Sequence, residues 1–143
     1  MDWAREAMEL EDVLHTGSAG VADTAFHGAV ARYAEQAGAP RGVRALLRFR
    51  LAMARHDWPG VVADIDAVRP LLTGDRPPMA RSQFHTVAIV GLLKVGALDR
   101  AAAVLASARA ETVEAMDPLT GRLLAAHLAA ARRAARRAAP PVR

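Results

Sequence analysis

Residues 41–73 read RGVRALLRFRLAMARHDWPGVVADIDAVRPLLT. Two apolar-periodic segments flank one stop-and-restart signal, His56-Asp57-Trp58-Pro59-Gly60. Aspartate is a preferred helix N-cap, and proline is well placed in the first turn of a helix, where its missing N–H costs nothing. The stretch therefore predicts a helix from about Pro40 to Arg55, a tight turn, and a second helix capped by Asp57. Val61, Ile65, Val68 and Leu72 recur at helical spacing and supply the second helix's core stripe. Pro70 falls on the opposite side and predicts a kink or an early end there.

The helix before the turn is charged on one face and apolar on the other. At about 100° per residue, Arg41, Arg44, Arg48 and Arg55 fall within an arc of about 60°. Val43, Leu46, Leu47, Leu51, Met53 and Ala54 oppose them. Arg50 breaks this division by projecting into the apolar face.

Outward from this hairpin, the spacing predicts helices on both sides. Asp2–Leu14 places Trp3, Ala7, Leu10 and Leu14 on one face, with an acidic exterior. Gly17-Ser18-Ala19-Gly20 breaks it. A helix over residues 21–37 follows, with Ser18 as its cap and Ala22, Ala25, Phe26, Ala29, Val30 and Tyr33 as its buried stripe. Gly38 sits where a C-terminal glycine belongs, and Pro40 follows. Beyond a loop at 73–78, a helix from Pro78 to Val95 is apolar nearly all round through Phe84, Val87, Ala88, Val90, Gly91, Leu92 and Leu93. Such a helix is usually central. Gly96 ends it. Leu98–Glu111 follows, with Ala101, Val104, Leu105 and Ala108 facing in. The last helix, opened by Asp117-Pro118, runs to about Ala139, and residues 140–143 form a frayed tail.

The bulk numbers agree with an all-α reading. The 143 residues suit one domain, taken as residues 1–139. Apolar residues make up 52% and aromatics 4%. Alanine, the best helix former, supplies about a quarter of the chain. The basic residues are 18 arginines and Lys94, yet the formal net charge is only +4. Without clustering, that is too little to imply nucleic-acid binding. The absence of cysteine excludes disulfides, thiolate metal sites and cysteine nucleophiles together. The acidic start is unlike a secretion signal, and the longest uncharged apolar run, Phe84–Leu93, is too short to span a bilayer. A soluble, cytoplasmic protein is expected.

About seven helices with short connections imply antiparallel neighbours. The turn also repeats: Asp57-Trp58-Pro59-Gly60-Val61 aligns with Ala97-Leu98-Asp99-Arg100-Ala101, which sets Ile65 against Leu105 and Val68 against Ala108. Here the chain resembles the tetratricopeptide-repeat α-solenoids. Leu93-Lys94-Val95-Gly96-Ala97-Leu98-Asp99-Arg100-Ala101 looks like that family's turn into its second helix, and Ala101 and Ala108 match its small packing positions. His56-Asp57-Trp58-Pro59-Gly60-Val61 is a looser copy. The offset is about forty residues rather than the family's 34, and the family's first-helix tryptophan and glycine are missing. The match covers about Arg41 to Glu111. The resemblance implies stacked helical hairpins that bind a protein or peptide, as in the scaffold or sensor segments of larger bacterial transcription regulators.

The candidate binding residues are Arg41, Arg44, Arg48, Arg50, Arg55, Trp58 and His85. Guanidinium forks hold carboxylates and phosphates bidentately, so the arginine stripe suits an acidic peptide or a phosphate-bearing ligand; the plainer reading is a solvated face paired with the acidic first helix. Arg50 needs a partner, because a buried unpaired charge is costly. Asp64 or Asp66 on the next helix, or a glutamate of the first helix, would supply it in an interhelical salt bridge. The alternative is an anion-binding cavity near Arg50 and His85 in a small-molecule sensor. Trp58 anchors a partner or packs under the turn. A second copy of the chain is a further candidate partner.

Arg132, Arg133, Arg136 and Arg137 lie opposite Leu124, Leu128, Ala131 and Ala135, in the manner of a solenoid capping helix. No aromatics interleave them, which disfavours nucleic acid, and an alanine face gains little from a membrane. His15, His27, His56, His85 and His127 show no metal-ligand spacing, so no metal or cofactor is expected. Ser18, Ser82 and Ser107 lie in no nucleophile elbow, and an enzyme is not expected.

Overall fold

The computed structural model describes Arg5 and residues 24–72, 78–111 and 118–139. The expected first helix, its acidic face, the Ser18 cap, the 73–77 loop and the tail lie outside the described residues. Every described element is helical: α1 (Thr24–Gln36), α2 (Arg41–Ala54), α3 (Trp58–Ala63), α4 (Ile65–Leu72), α5 (Pro78–Lys94), α6 (Leu98–Glu111) and α7 (Pro118–Ala138). The chain divides into two compact units, Met1–Leu71 and Leu72–Arg143.

In the first unit α2 packs against both α1 and α3. Connections of three or four residues between touching helices make them antiparallel neighbours. The α1–α2 seam is built from Val30, Ala34, Ala39, Val43 and Leu47, with Ala31 beside it. This corrects the expected α1 stripe. Tyr33 is 44% exposed and Ala29 is also exposed, whereas Ala34 is fully buried. The buried face is rotated by one residue, which leaves the tyrosine hydroxyl in water and puts the smaller alanine at the close contact. On α2, Phe49, Ala45 and Ala52 are buried alongside Val43, Leu46 and Leu47, while Leu51, Met53 and Ala54 are only half-buried. A helix with neighbours on two sides buries more than one stripe.

The kink expected at Pro70 stands elsewhere. The helix breaks at Asp64 (φ −107°, ψ 4°), where the Asp64 N–H donates to the Val61 carbonyl at 3.3 Å in a tightened last turn. The Asp64 carbonyl then accepts from Val68 at 3.0 Å and starts α4. Pro70 lies inside α4, at an exposed position, and the helix ends two residues later. Val61, Ile65, Val68 and Leu72 are all buried, as their spacing requires.

In the second unit α5 packs against α6 and α7, and those two against each other. Phe84, Ala88, Ile89 and Leu92 are buried, and Val87, Val90 and Leu93 half-buried, so α5 is covered on most sides. Ala101, Val104, Leu105 and Ala108 face in from α6. Gly121, Leu124 and Leu128 do so from α7, whose burial fades toward Ala135.

Three helix ends close alike. At Gly38 (φ 70°), His56 (φ 54°) and Gly96 (φ 79°) the chain turns left-handed. The following N–H groups reach back across the helix end, Ala39 to Ala34, Asp57 to Ala52 and Ala97 to Leu92, at 2.8–2.9 Å. This is the Schellman closure, which satisfies carbonyls a helix end would otherwise strand. The register of the two aligned turns, at Asp57 and Ala97, is the same in backbone hydrogen bonds. Their capping differs: Asp57 Oδ1 accepts from Gly60 N–H at 3.1 Å, and Ala97 has no side chain that can do so.

Candidate functional site

The arginines of the α2 stripe differ in exposure and pairing. Arg41 is exposed and Arg44 half-buried. Arg48 is engaged on both sides. Its Nη2 and Nε lie 3.3 and 3.4 Å from the two oxygens of Asp64, and its Nη1 lies 4.0 Å from Glu35 on α1. The Asp64 side chain is only 16% exposed, so Arg48 compensates a carboxylate largely removed from water. Asp64, one expected counterion for Arg50, is thus held by Arg48. Arg50 is itself half-buried.

Arg48 and Arg55 flank an open groove of about 360 Å³ between the end of α2 and α3. Leu51, Ala52 and Ala63 supply its apolar lining; Asp57, Gly60 and Asp64 complete it. Both carboxylates are already committed, Asp57 to the α3 cap and Asp64 to Arg48.

Arg55 reaches from this groove to Gly28 on α1, near Arg32. A Cβ placed on Gly28 would lie 3.8 Å from Arg32 Nη1 and 3.9 Å from Arg55 Nη2, so the two guanidinium nitrogens are at most about 8 Å apart. Like charges at that separation repel by at least about 0.5 kcal/mol even in bulk water. Among the described residues neither arginine makes an ion pair. Sequence reading missed Arg32. The available signal was Gly28, a helix-interior glycine one turn before it on the same face, which is buried.

The other expected residues do not line this groove. Trp58 is half-buried and stacks on His56, with ring centroids 5.8 Å apart and planes 3° from parallel. His85 is 2% exposed in the second unit, its ring edge-on to Phe84 at 5.5 Å. A second groove, of about 430 Å³, is lined by Gly96, Leu98, Asp99, Arg132, Ala135 and Arg136. There Arg132 Nη2 lies 3.4 Å from Asp99 Oδ1. Arg50 and His85 line neither groove.

No protein-family model, curated protein or solved structure matches the chain. The site is therefore read from its own residues. Among the described residues no three histidine or acidic side chains gather as metal ligands, and no helix is long and apolar enough to cross a membrane. The first groove combines an apolar floor of Leu51, Ala52 and Ala63 with the guanidinium groups of Arg48 and Arg55 and the carboxylates of Asp57 and Asp64.

Proposed function

We propose that the chain is a non-catalytic interaction module whose α1–α3 surface takes an acidic peptide or an acidic stretch of a partner protein. The carrying observation is the groove at the end of α2. Leu51, Ala52 and Ala63 offer burial to apolar side chains, and Arg55 stands on the rim without an ion-pair partner among the described residues. Apolar contact with charged selection at the edge is how peptide grooves divide affinity from specificity. The resemblance to tetratricopeptide-like solenoids supports the same reading, and extends it to the scaffold or sensor segment of a larger bacterial transcription regulator.

The test is fluorescence anisotropy with the full chain and two labelled peptides, (Glu-Ala-Leu)4 and (Lys-Ala-Leu)4. The proposal predicts saturable binding of the glutamate peptide, weakened by raising salt from 50 to 300 mM, and no binding of the lysine peptide. Equal binding of the two peptides, or binding of neither, overturns it.

A further inference from the structure

We infer that the outer face of α7 pairs with the same face of a second copy of the chain, the two helices running antiparallel. This face belongs to the second unit, and its pairing is independent of the peptide groove. α7 buries Gly121, Leu124 and Leu128. Nearly opposite them, Leu119, Leu123, Ala126 and Ala130 recur at i, i+4, i+7 and i+11 and so share a second face. Leu119 is 58% exposed and Leu123 55%, and both alanines are exposed. A helix side turned to water ordinarily carries polar residues, and this one carries an apolar stripe.

The order of that stripe points to a second copy as its occupant. Read backwards, large-large-small-small becomes small-small-large-large. An antiparallel pair centred between residues 124 and 125 therefore sets Leu119 across from the partner's Ala130, and Leu123 across from the partner's Ala126. Each leucine meets a methyl-sized hollow, and the contact is isologous, with one patch serving both copies. A parallel pair would set leucine on leucine and leave a gap between the alanines. A lipid surface would gain little from the alanines, whereas a facing helix packs closely over them.

Charge selects the same direction. α7 holds five arginines, Arg122, Arg132, Arg133, Arg136 and Arg137, and no acid. A parallel pair would stack the basic ends side by side. In the antiparallel pair Arg133 and its equivalent stand about 25 Å apart along the axis, at 1.5 Å per residue, well beyond the screening length at physiological salt. The exposed Arg133 and Arg137 then lie level with the entry to the partner's α7. That entry, residues 111–117, carries Glu111, Glu114 and Asp117 and no base. Basic exit thus meets acidic entry at both ends of the pair. Two leucines and two alanines from each copy make a small interface, so the association is weak and concentration-dependent.

The test is sedimentation equilibrium of the full chain from about 10 µM to about 1 mM, for the wild type and Leu119→Gln/Leu123→Gln. Thermal melting is followed in parallel. The pair predicts a monomer–dimer equilibrium in the wild type, at least a tenfold weakening in the variant, and an unchanged Tm, because both leucines are already exposed. Direction is read by oxidative crosslinking. The chain has no cysteine, so a single introduced thiol reports cleanly. In the antiparallel pair Ala126→Cys lies within disulfide reach of its equivalent, about 4–5 Å along the axis, whereas Ala130→Cys lies about 16 Å from its own. Covalent dimer from the first and not the second is expected. A wild type that stays monomeric throughout, association undiminished in the leucine variant, or crosslinking of Ala130→Cys as fast as Ala126→Cys overturns the pair. So does a monomeric chain that binds vesicles of equal phosphatidylcholine and phosphatidylglycerol through the same two leucines, which would assign the face to a lipid surface.

Discussion

The turn at His56 and the turn at Gly96 have the same backbone and different side chains. Each closes its helix with a left-handed residue and a long reach-back hydrogen bond, and each starts the next helix two residues after the left-handed one. At the first, the left-handed position is a histidine stacked on Trp58, and an aspartate caps the next helix. At the second, glycine adopts the conformation without strain and alanine caps nothing. Each turn lines a groove, and the grooves differ in the same sense. Arg48 in the first neutralises a carboxylate only 16% exposed. Arg132 in the second faces Asp99, which is fully exposed, and surface pairs of that kind contribute little. Backbone geometry is thus shared by both turns, whereas the desolvated, charge-ordered surface belongs to the first alone.

The comparison can be broken at several points. The largest effect is expected in the core: Ile65→Ala and Leu105→Ala occupy aligned, buried positions and should each cost about 2–5 kcal/mol in urea unfolding. A small loss at one and a large loss at the other would deny that the positions are equivalent. Next is Gly60→Arg, which gives the first turn the residue the second carries. A Cβ there would lie 2.6 Å from Asp57 Oδ2 and 3.0 Å from the Ala52 Cβ. The cap and the close packing should both suffer, at a cost of about 2–3 kcal/mol, while Arg100→Gly should cost no more than about 1 kcal/mol. Exchanging the left-handed residues should follow: Gly96→His loses about 1 kcal/mol, and His56→Gly gains about 0.5 kcal/mol from relieved strain. A loss for His56→Gly would mean that stacking on Trp58 outweighs that strain. Smallest are the ion pairs. Asp64→Asn should cost about 1 kcal/mol, and Asp99→Asn should leave the melting temperature unchanged.

Local signals in the sequence were enough for the helices and turns that they govern. Asp57, Pro59, Gly38 and Gly96 act within a few residues of themselves, and the stripes Val61-Ile65-Val68-Leu72 and Ala101-Val104-Leu105-Ala108 keep plain helical spacing and are buried throughout. What escaped depends on partners distant along the chain. Phe49 and Ile89 are buried because their helices have neighbours on more than one side, which a one-stripe reading of α2 or a list of α5 residues did not capture. The break at Asp64 goes with a carboxylate held by Arg48, sixteen residues earlier, while Pro70, the stronger local signal, sits at an exposed position where the helix tolerates it. The α2 stripe was legible as a face. Its division was not: Arg48 is engaged by two acids, and Arg55 converges on Arg32 across a glycine of another helix.

The most direct test of that division is to map backbone amide shifts of the full chain while titrating unlabelled (Glu-Ala-Leu)4. The account predicts saturating changes around Gly28, Arg32 and residues 48–64, with residues 96–100 and 132–136 unmoved. Shifts centred on the second groove, or spread evenly over both, would contradict it.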